Sequence, residues 1–357
     1  MSLAAPARAL IQPGAEEALI LLKGVWKVFK MPSGTFEALK NINLSIRAGE
    51  FVSVTGKSGS GKSTLVNMIT GIDRPTRGEV RVNGTLLNTL SEGALSVWRG
   101  HNLGIVFQFF QLLPMLSVLE NVMLPMDFCN RYDPAERESR AMDLLKMVGL
   151  EKVAHKLPAA LSGGQQQCAA IARALANDPP ILVADEPTGN LDSRTAAHVM
   201  AIFTDLVAHG KTLVMVTHDL SLAQQAHRVL VISDGELIHP AIVATWPRLS
   251  HAAMRHLNRH LHDLRLPPGA ELPPSRGVLV LEGSLQPGTT RPRPRVRLEP
   301  LAAGAWHLFE RPEEAGHFRA GPEGAWVLRW DESAWERLRQ DAPDVVTALQ
   351  SHRGGQA

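Results

Sequence analysis

Phe51-Val52-Ser53-Val54-Thr55-Gly56-Lys57-Ser58-Gly59-Ser60-Gly61-Lys62-Ser63 decides the fold of this 357-residue chain. FVSVT is a short, largely apolar run, as expected of a strand buried on both faces of a parallel sheet. The octet Gly56–Ser63 then fits G-x-x-x-x-G-K followed by Ser or Thr, and it leads into the helically spaced TLVNMITG. Strand, glycine loop and helix in that order predict a phosphate cradle. The glycines let backbone N–H groups turn toward an anion, and the helix N-terminus adds positive potential. Gly56, Ser58, Gly59, Ser60, Gly61 and Thr64 belong to this cradle, Lys62 supplies a point charge to the β and γ phosphates, and the Ser63 hydroxyl is placed to ligate Mg²⁺. Without its flanking strand and helix, the octet would read equally well as a Gly/Ser-rich turn.

Further along, ILVA ends in Asp185-Glu186. A carboxylate at the C-terminal tip of a buried strand faces the crevice where α/β sheets take their ligands. Asp185 is a candidate for holding Mg²⁺, and Glu186, next at the tip, is the candidate general base for a water. Alone, the pair would also suit an exposed acidic turn before Pro187. TLVMVTH reads as another buried strand and TAAHVMAIFTDLVAHG as a helix, so this part of the chain is an α/β core.

The length suits two domains. Lysine disappears after Lys211, and four of seven tryptophans (Trp306, Trp326, Trp330, Trp335) lie beyond residue 300, so composition divides the chain near residue 240. No stretch reaches the roughly 18 to 20 apolar residues that cross a bilayer. Residues 1–18 read as a flexible leader without a signal-peptide core, which predicts a cytoplasmic protein. Cys129 and Cys168 are too few for a disulfide framework. A net charge of +2 gives no reason to expect nucleic acid as a partner.

Between the two carboxylates and the phosphate loop lies Leu161-Ser162-Gly163-Gly164-Gln165. With the loop before it and Asp185-Glu186 after it, the sequence resembles the ATPase subunits of ABC transporters over about residues 20 to 240. The resemblance implies a P-loop α/β ATPase domain with a helical subdomain, spanning 19–240, that binds ATP and Mg²⁺ and hydrolyses ATP. It further implies a second ATPase subunit, expected to be identical, whose bound γ-phosphate is capped in trans by Ser162, Gly163, Gly164 and Gln165. By position in the family pattern, Gln108 matches the Q-loop glutamine near metal and lytic water, His218 the switch histidine that orients Glu186, and Asp192 of GNLD the D-loop aspartate at the dimer seam. Phe29 falls where the family sets an aromatic ring against adenine, and a strand-core role is its alternative.

TGKSGSGKSTLVNMITGIDRPTRGEV, VFQFFQLLPMLSVLENVMLP and LSGGQQQ resemble more narrowly the lipoprotein-releasing and macrolide-export branch, LolD and MacB-like. That resemblance implies an FtsX-like or MacB-like transmembrane permease as partner, a peripheral position on the cytoplasmic face of the inner membrane, and export or extraction of lipid, lipoprotein or peptide-like cargo. FFQLLPML lies where a permease helix would dock, and could equally be helical-subdomain core. Cys168 departs from the family arginine and removes directional donors near the signature helix.

Beyond the boundary, residues 241–357 predict a small, mainly β domain with a terminal helix. VLVLEGSLQPGTT, LEPLAAGAWHLF and GAWVLRW read as strands, and WERLRQDAPDVVTAL as the helix. The order resembles a cyclic-nucleotide-binding β-roll, but the phosphate cassette of such rolls is missing: Arg319 has no evident glutamate partner for ribose hydroxyls. A degenerate roll for dimerisation or permease contact is the expectation. TTRPRPRVR reads as extended and solvated, with a polyanion-binding patch as its alternative.

Overall fold

Parallel pairing dominates the central sheet of the first half of the chain, whereas the second half pairs its strands antiparallel. The computed structural model describes residues 18–32, 34–247, 249–288, 301–351 and 355–356. Described residues up to Leu237 form one compact unit, and those from Ile238 onward form a second.

In chain order the first unit contains β1 (Ala18–Met31), β2 (Gly34–Arg47), β3 (Phe51–Thr55), α1 (Lys62–Thr70), β4 (Arg77–Val82), β5 (Thr85–Leu86), α2 (Glu92–Asn102) and β6 (Leu103–Val106). It continues with α3 (Val118–Phe128), α4 (Pro134–Met147), α5 (Gly163–Leu175), β7 (Ile181–Asp185), α6 (Ser193–Ala208), β8 (Thr212–Val216), α7 (Leu220–Ala223), β9 (Arg228–Ser233) and β10 (Glu236–Ile238). The six-stranded sheet runs β10-β9-β3-β8-β7-β6, and β3, β6, β7, β8 and β9 pair in parallel. Its strands are apolar on both faces because both faces are covered. Ile181, Val183, Val214 and Val216 pack with α1 and the antiparallel β2-β1-β4-β5 sheet, while Leu182, Ala184, Leu213 and Met215 pack against α3, α4, α5 and α6. This alternation leaves the tips of β3, β7 and β8 side by side, which is where the loop and the acidic pair emerge.

Local signals set the helix starts. Ser117 and Glu120 make a reciprocal capping box on α3, Asp133 caps α4 just ahead of Pro134, and Asp192 caps α6.

The second unit contains α8 (Pro240–Thr245), α9 (His251–Arg259), β11 (His262–Leu266), β12 (Gly277–Pro287), β13 (Leu301–Ala302), β14 (Ala305–Leu308), β15 (Phe318–Trp330), α10 (Glu332–Asp341), α11 (Pro343–Ser351) and β16 (Gly355–Gln356). The sheet order is β11-β15-β12-β14-β16, with β13 also on β12. Leu272, Val278, Val280, Leu285, Phe309, Phe318 and Val327 fill its core. The unit is mainly β, as expected, with differences in detail. The terminal helix is two helices, because Pro343 can start α11 but cannot continue α10. LEPLAAGAWHLF is broken at Gly304, whose φ of +85° turns the chain between β13 and β14. The expected leader and TTRPRPRVR lie outside the described residues, apart from Ala18, which opens β1.

Candidate active site

The octet that opened the sequence forms a tight loop between β3 and α1. Gly61, at φ +110°, is the α1 N-cap, and a Cβ there would stand 2.6 Å from the Ala38 carbonyl oxygen. At Gly56 a Cβ would overlap the Ile232 carbonyl. Only glycine fits these points, so the backbone comes closer to its surroundings than any other residue allows. Lys62 Nζ donates to the carbonyls of Gly56 and Lys57, both at 3.0 Å, which holds its charge over the loop. Ser58 and Gly59 are exposed at the rim, Thr64 is half-buried, and Ser60 is buried beneath.

Asp185 comes to this loop from the tip of β7. Burial, and then the neighbouring Glu186 charge, raise its carboxyl above the ordinary range, while Lys62 and a hydrogen bond from Ser63 draw it back. A serine hydroxyl and a half-buried carboxylate, hydrogen-bonded beside a lysine, make an all-oxygen pair of the hardness that Mg²⁺ selects. Glu186 follows with φ +47°, a left-handed conformation rare outside glycine, and its N–H is tied to the Val216 carbonyl at 2.9 Å. Two side chains from distant segments meet one of its oxygens: Gln108 Nε2 lies 3.4 Å and His218 Nδ1 3.2 Å from Glu186 Oε2. Thr188, Gly189, Leu191 and Asp219 complete the surrounding recess of about 320 Å³.

The signature residues start a different element. Ser162 caps α5 in a capping box with Gln165, at 3.3 Å from the Gln165 N–H and with 3.0 Å from the Ser162 N–H to Gln165 Oε1. Gly164 faces α6, where a Cβ would overlap Thr195 Cγ2. Thr195 itself donates from Oγ1 to Asp192 at 2.7 Å, and this bond keeps the Asp192 carboxyl below its usual range. Among the described residues no hydrogen bond joins Ser162–Gln165 to the phosphate loop. The sequence-predicted site residues therefore fall into two groups within the chain, one around Glu186 and Lys62 and one at the start of α5.

Comparison with known proteins supplies the family. Residues 39–189 match the family model described as ABC transporter. An uncharacterized ABC transporter ATP-binding protein of Methanocaldococcus jannaschii is 49% identical over 223 residues, covering 61% of this chain and 95% of that protein. The chain belongs to the ABC transporter ATP-binding proteins. Members of this ATP-binding cassette family are ATPases, and the residues matched by the family model lie within the first unit. A solved dimer of the cassette MJ0796 bound to ADP and Pi superposes with a TM-score of 0.58 at 48% identity, covering 61% of this chain and 96% of that one. The macrolide export ATP-binding/permease protein MacB of Sodalis glossinidius is 45% identical over 220 residues, but this chain spans only 34% of its length.

Three features of this ABC cassette were not evident from the sequence. Phe29 is 38% exposed with Lys27 Nζ 4.9 Å above its ring, so it is not a strand-core residue, and Phe36 stands directly opposite it on β2. The stretch after Gln108 is part surface and part core: Phe109 and Met115 are 72% and 86% exposed, while Leu112 packs against the helical cluster. Fully buried Asn121 holds that stretch in place, donating to the carbonyls of Leu113, Leu116 and Ser117 and accepting from the Leu113 N–H at 2.8 Å. An amide inside an apolar helix gives no period-based signal. Cys168, in place of an arginine, is buried in α5 and its thiol is pushed up to about 11 by burial, which leaves it unreactive.

Proposed function

We propose that this chain binds and hydrolyses Mg-ATP as one of two ATPase subunits and so drives a separate transmembrane permease of the FtsX-like or MacB-like kind. The convergence of Gln108 and His218 on Glu186 carries this reading. The loop amides and Lys62 hold the β and γ phosphates, and Phe29 stacks on adenine with its face opposite Lys27. Mg²⁺, when bound, neutralises phosphate charge, and Ser63, Asp185 and Gln108 are the residues that would hold it. Glu186 accepts a proton from the attacking water while His218 and Gln108 fix the carboxylate's orientation, so positioning and charge do most of the work. Ser162, Gly163 and Gly164 at the start of α5 present amide donors to the γ-phosphate of a second subunit, and Gln165 supports them through the capping box rather than by direct contact. Asp192 lies at the seam between the two subunits. The dimeric relative bound to ADP and Pi supports this arrangement.

The exposed Phe109–Met115 stretch is the surface offered to the permease, which puts the chain on the cytoplasmic face of the membrane. No helix among the described residues is long and apolar enough to cross one. The MacB names support export; the lipid, lipoprotein or peptide-like cargo proposed with it is carried by the branch resemblance alone. Residues 19–240 act as the ATPase domain and 241–357 as a degenerate β-roll for dimer or permease contact.

Affinity purification of tagged Glu186→Gln protein with ATP and Mg²⁺ from gently solubilised membranes tests the reading. Recovery of an FtsX-like permease supports it. Recovery of only ribosomal or DNA-associated proteins would replace it with a soluble mechanical switch.

A further inference from the structure

Arg173 lies ten residues along α5 from Gly163, about 15 Å down the helix. Its guanidinium does not meet a carboxylate among the described residues. It donates instead to two consecutive backbone carbonyls, Nη2 to Phe110 at 2.8 Å and Nη1 to Gln111 at 2.5 Å. Burial makes the charged form less comfortable than usual. A methionine or leucine would fill the same space without burying a charge, so packing alone does not account for an arginine here.

The two carbonyls belong to an unusual piece of chain. Phe110 and Gln111 both take left-handed backbone, at φ +50° and +52°, without being glycine. Such a pair persists only when its surroundings hold it. It sits between Gln108, which reaches Glu186 Oε2, and the buried turn pinned by Asn121. Phe109 is thereby turned outward, and the Phe110 ring lies 3.8 Å from the position a Cβ on Gly163 would take. Four consecutive residues thus contact the candidate base, the solvent, the first residue of α5 and a guanidinium further along the same helix.

We propose that Arg173 is a positioning residue: its two-donor clamp fixes the left-handed pair Phe110–Gln111 to α5, so that Gln108 at the candidate base and the signature residues at the head of α5 move together. A displacement of exposed Phe109 is then transmitted to both ends of the hydrolytic machinery rather than absorbed in a loose loop. The proposal rests on the ATPase reading above for its kinetic consequence, but its structural content stands apart from it.

The test uses the full chain and three variants: Arg173→Met, Arg173→Lys and the double variant Arg173→Met with Gln111→Gly. Steady-state hydrolysis, ATP affinity by calorimetry and segment-resolved hydrogen exchange are measured on each. Arg173→Met is expected to lower kcat about tenfold, to leave ATP affinity within about twofold, and to speed exchange selectively over residues 109–112. Arg173→Lys keeps the charge but loses the planar fork that presents two separate nitrogens to the two carbonyls, and should fall between. Glycine at 111 takes left-handed backbone freely, so the double variant should regain part of the lost kcat. Unchanged exchange over 109–112 in both single variants would overturn the clamp, as would faster exchange spread evenly along α5, which marks a merely structural arginine. If the unaltered chain hydrolyses no ATP, the ATPase reading fails, and the exchange pattern still decides for or against the clamp.

Discussion

The two units use charged and aromatic residues for opposite ends. In the second, the polar groups pair off among themselves: His260 with Asp341, His262 with Asp331, and Arg319 with Glu271. Its tryptophans anchor the fold, Trp330 donating to the Leu257 carbonyl at 3.1 Å and Trp246 packing edge-on to Trp306 and Trp330. In the first, two polar side chains from separate segments, Gln108 and His218, converge on the one carboxylate of Glu186. The first unit spends conformational freedom to aim groups at a common point, and the second to hold itself together. Arg319 illustrates the difference: it has a glutamate after all, but the pair lies on the surface, about half exposed, with nothing converging on it.

The sharpest way to break this contrast is Glu186→Gln. Hydrolysis should fall on the order of 10²–10⁴-fold while ATP binding and the thermal transition of either unit are nearly unchanged, as read by phosphate release and calorimetry. A fall of less than about threefold would return Glu186 to the status of an ordinary turn residue.

Acid should strike the second unit instead. His239 caps α8 by accepting the Ala241 N–H at 3.2 Å, and burial lowers its pKa from 6.5 to about 4. The folded state therefore favours neutral imidazole, so its contribution is fully present above pH 6.5 and is lost as pH falls toward 4, by about 3 kcal/mol in all. Five of the seven tryptophans lie from Trp246 onward, so fluorescence-monitored unfolding between pH 7 and 4 reads this unit. His239→Asn should flatten the slope.

Gly164→Ala should cost about 1–3 kcal/mol of strain against Thr195 and lower hydrolysis without changing ATP binding by the single subunit. Adding Thr195→Ser removes the offending methyl, keeps the hydroxyl near Asp192 and should restore most of the activity. The smallest effect is expected at Gln167, a fully buried α5 residue whose amide nitrogen and oxygen have no partner among the described residues. Gln167→Met should be neutral or raise stability by about 1 kcal/mol in thermal melts.

How much the sequence disclosed follows the same division. The first unit was legible because its strands are continuous apolar runs and its loop, signature and acidic pair have fixed spacings that few other structures require. What stayed hidden there depends on side-chain direction: the Asn121 anchor, the Arg173 clamp, the Gly164 and Thr195 contact, and the use of Gln165 as a cap. In the second unit the strand GVLVLEGSLQP was legible from the apolar run VLVL near its start. The break at Gly304 and the two-helix ending were not, because short antiparallel strands set by bulges and turns leave weak periodicity.

Glu186 brings one further consequence. A left-handed backbone penalises every side chain except glycine's missing one, so Glu186→Gly should make the folded chain more secure by up to about 1 kcal/mol. On the role proposed for Glu186, selection for durability alone would erase the chemistry at this position, and the cassette would work only as long as it remained slightly less stable than its own sequence space allows.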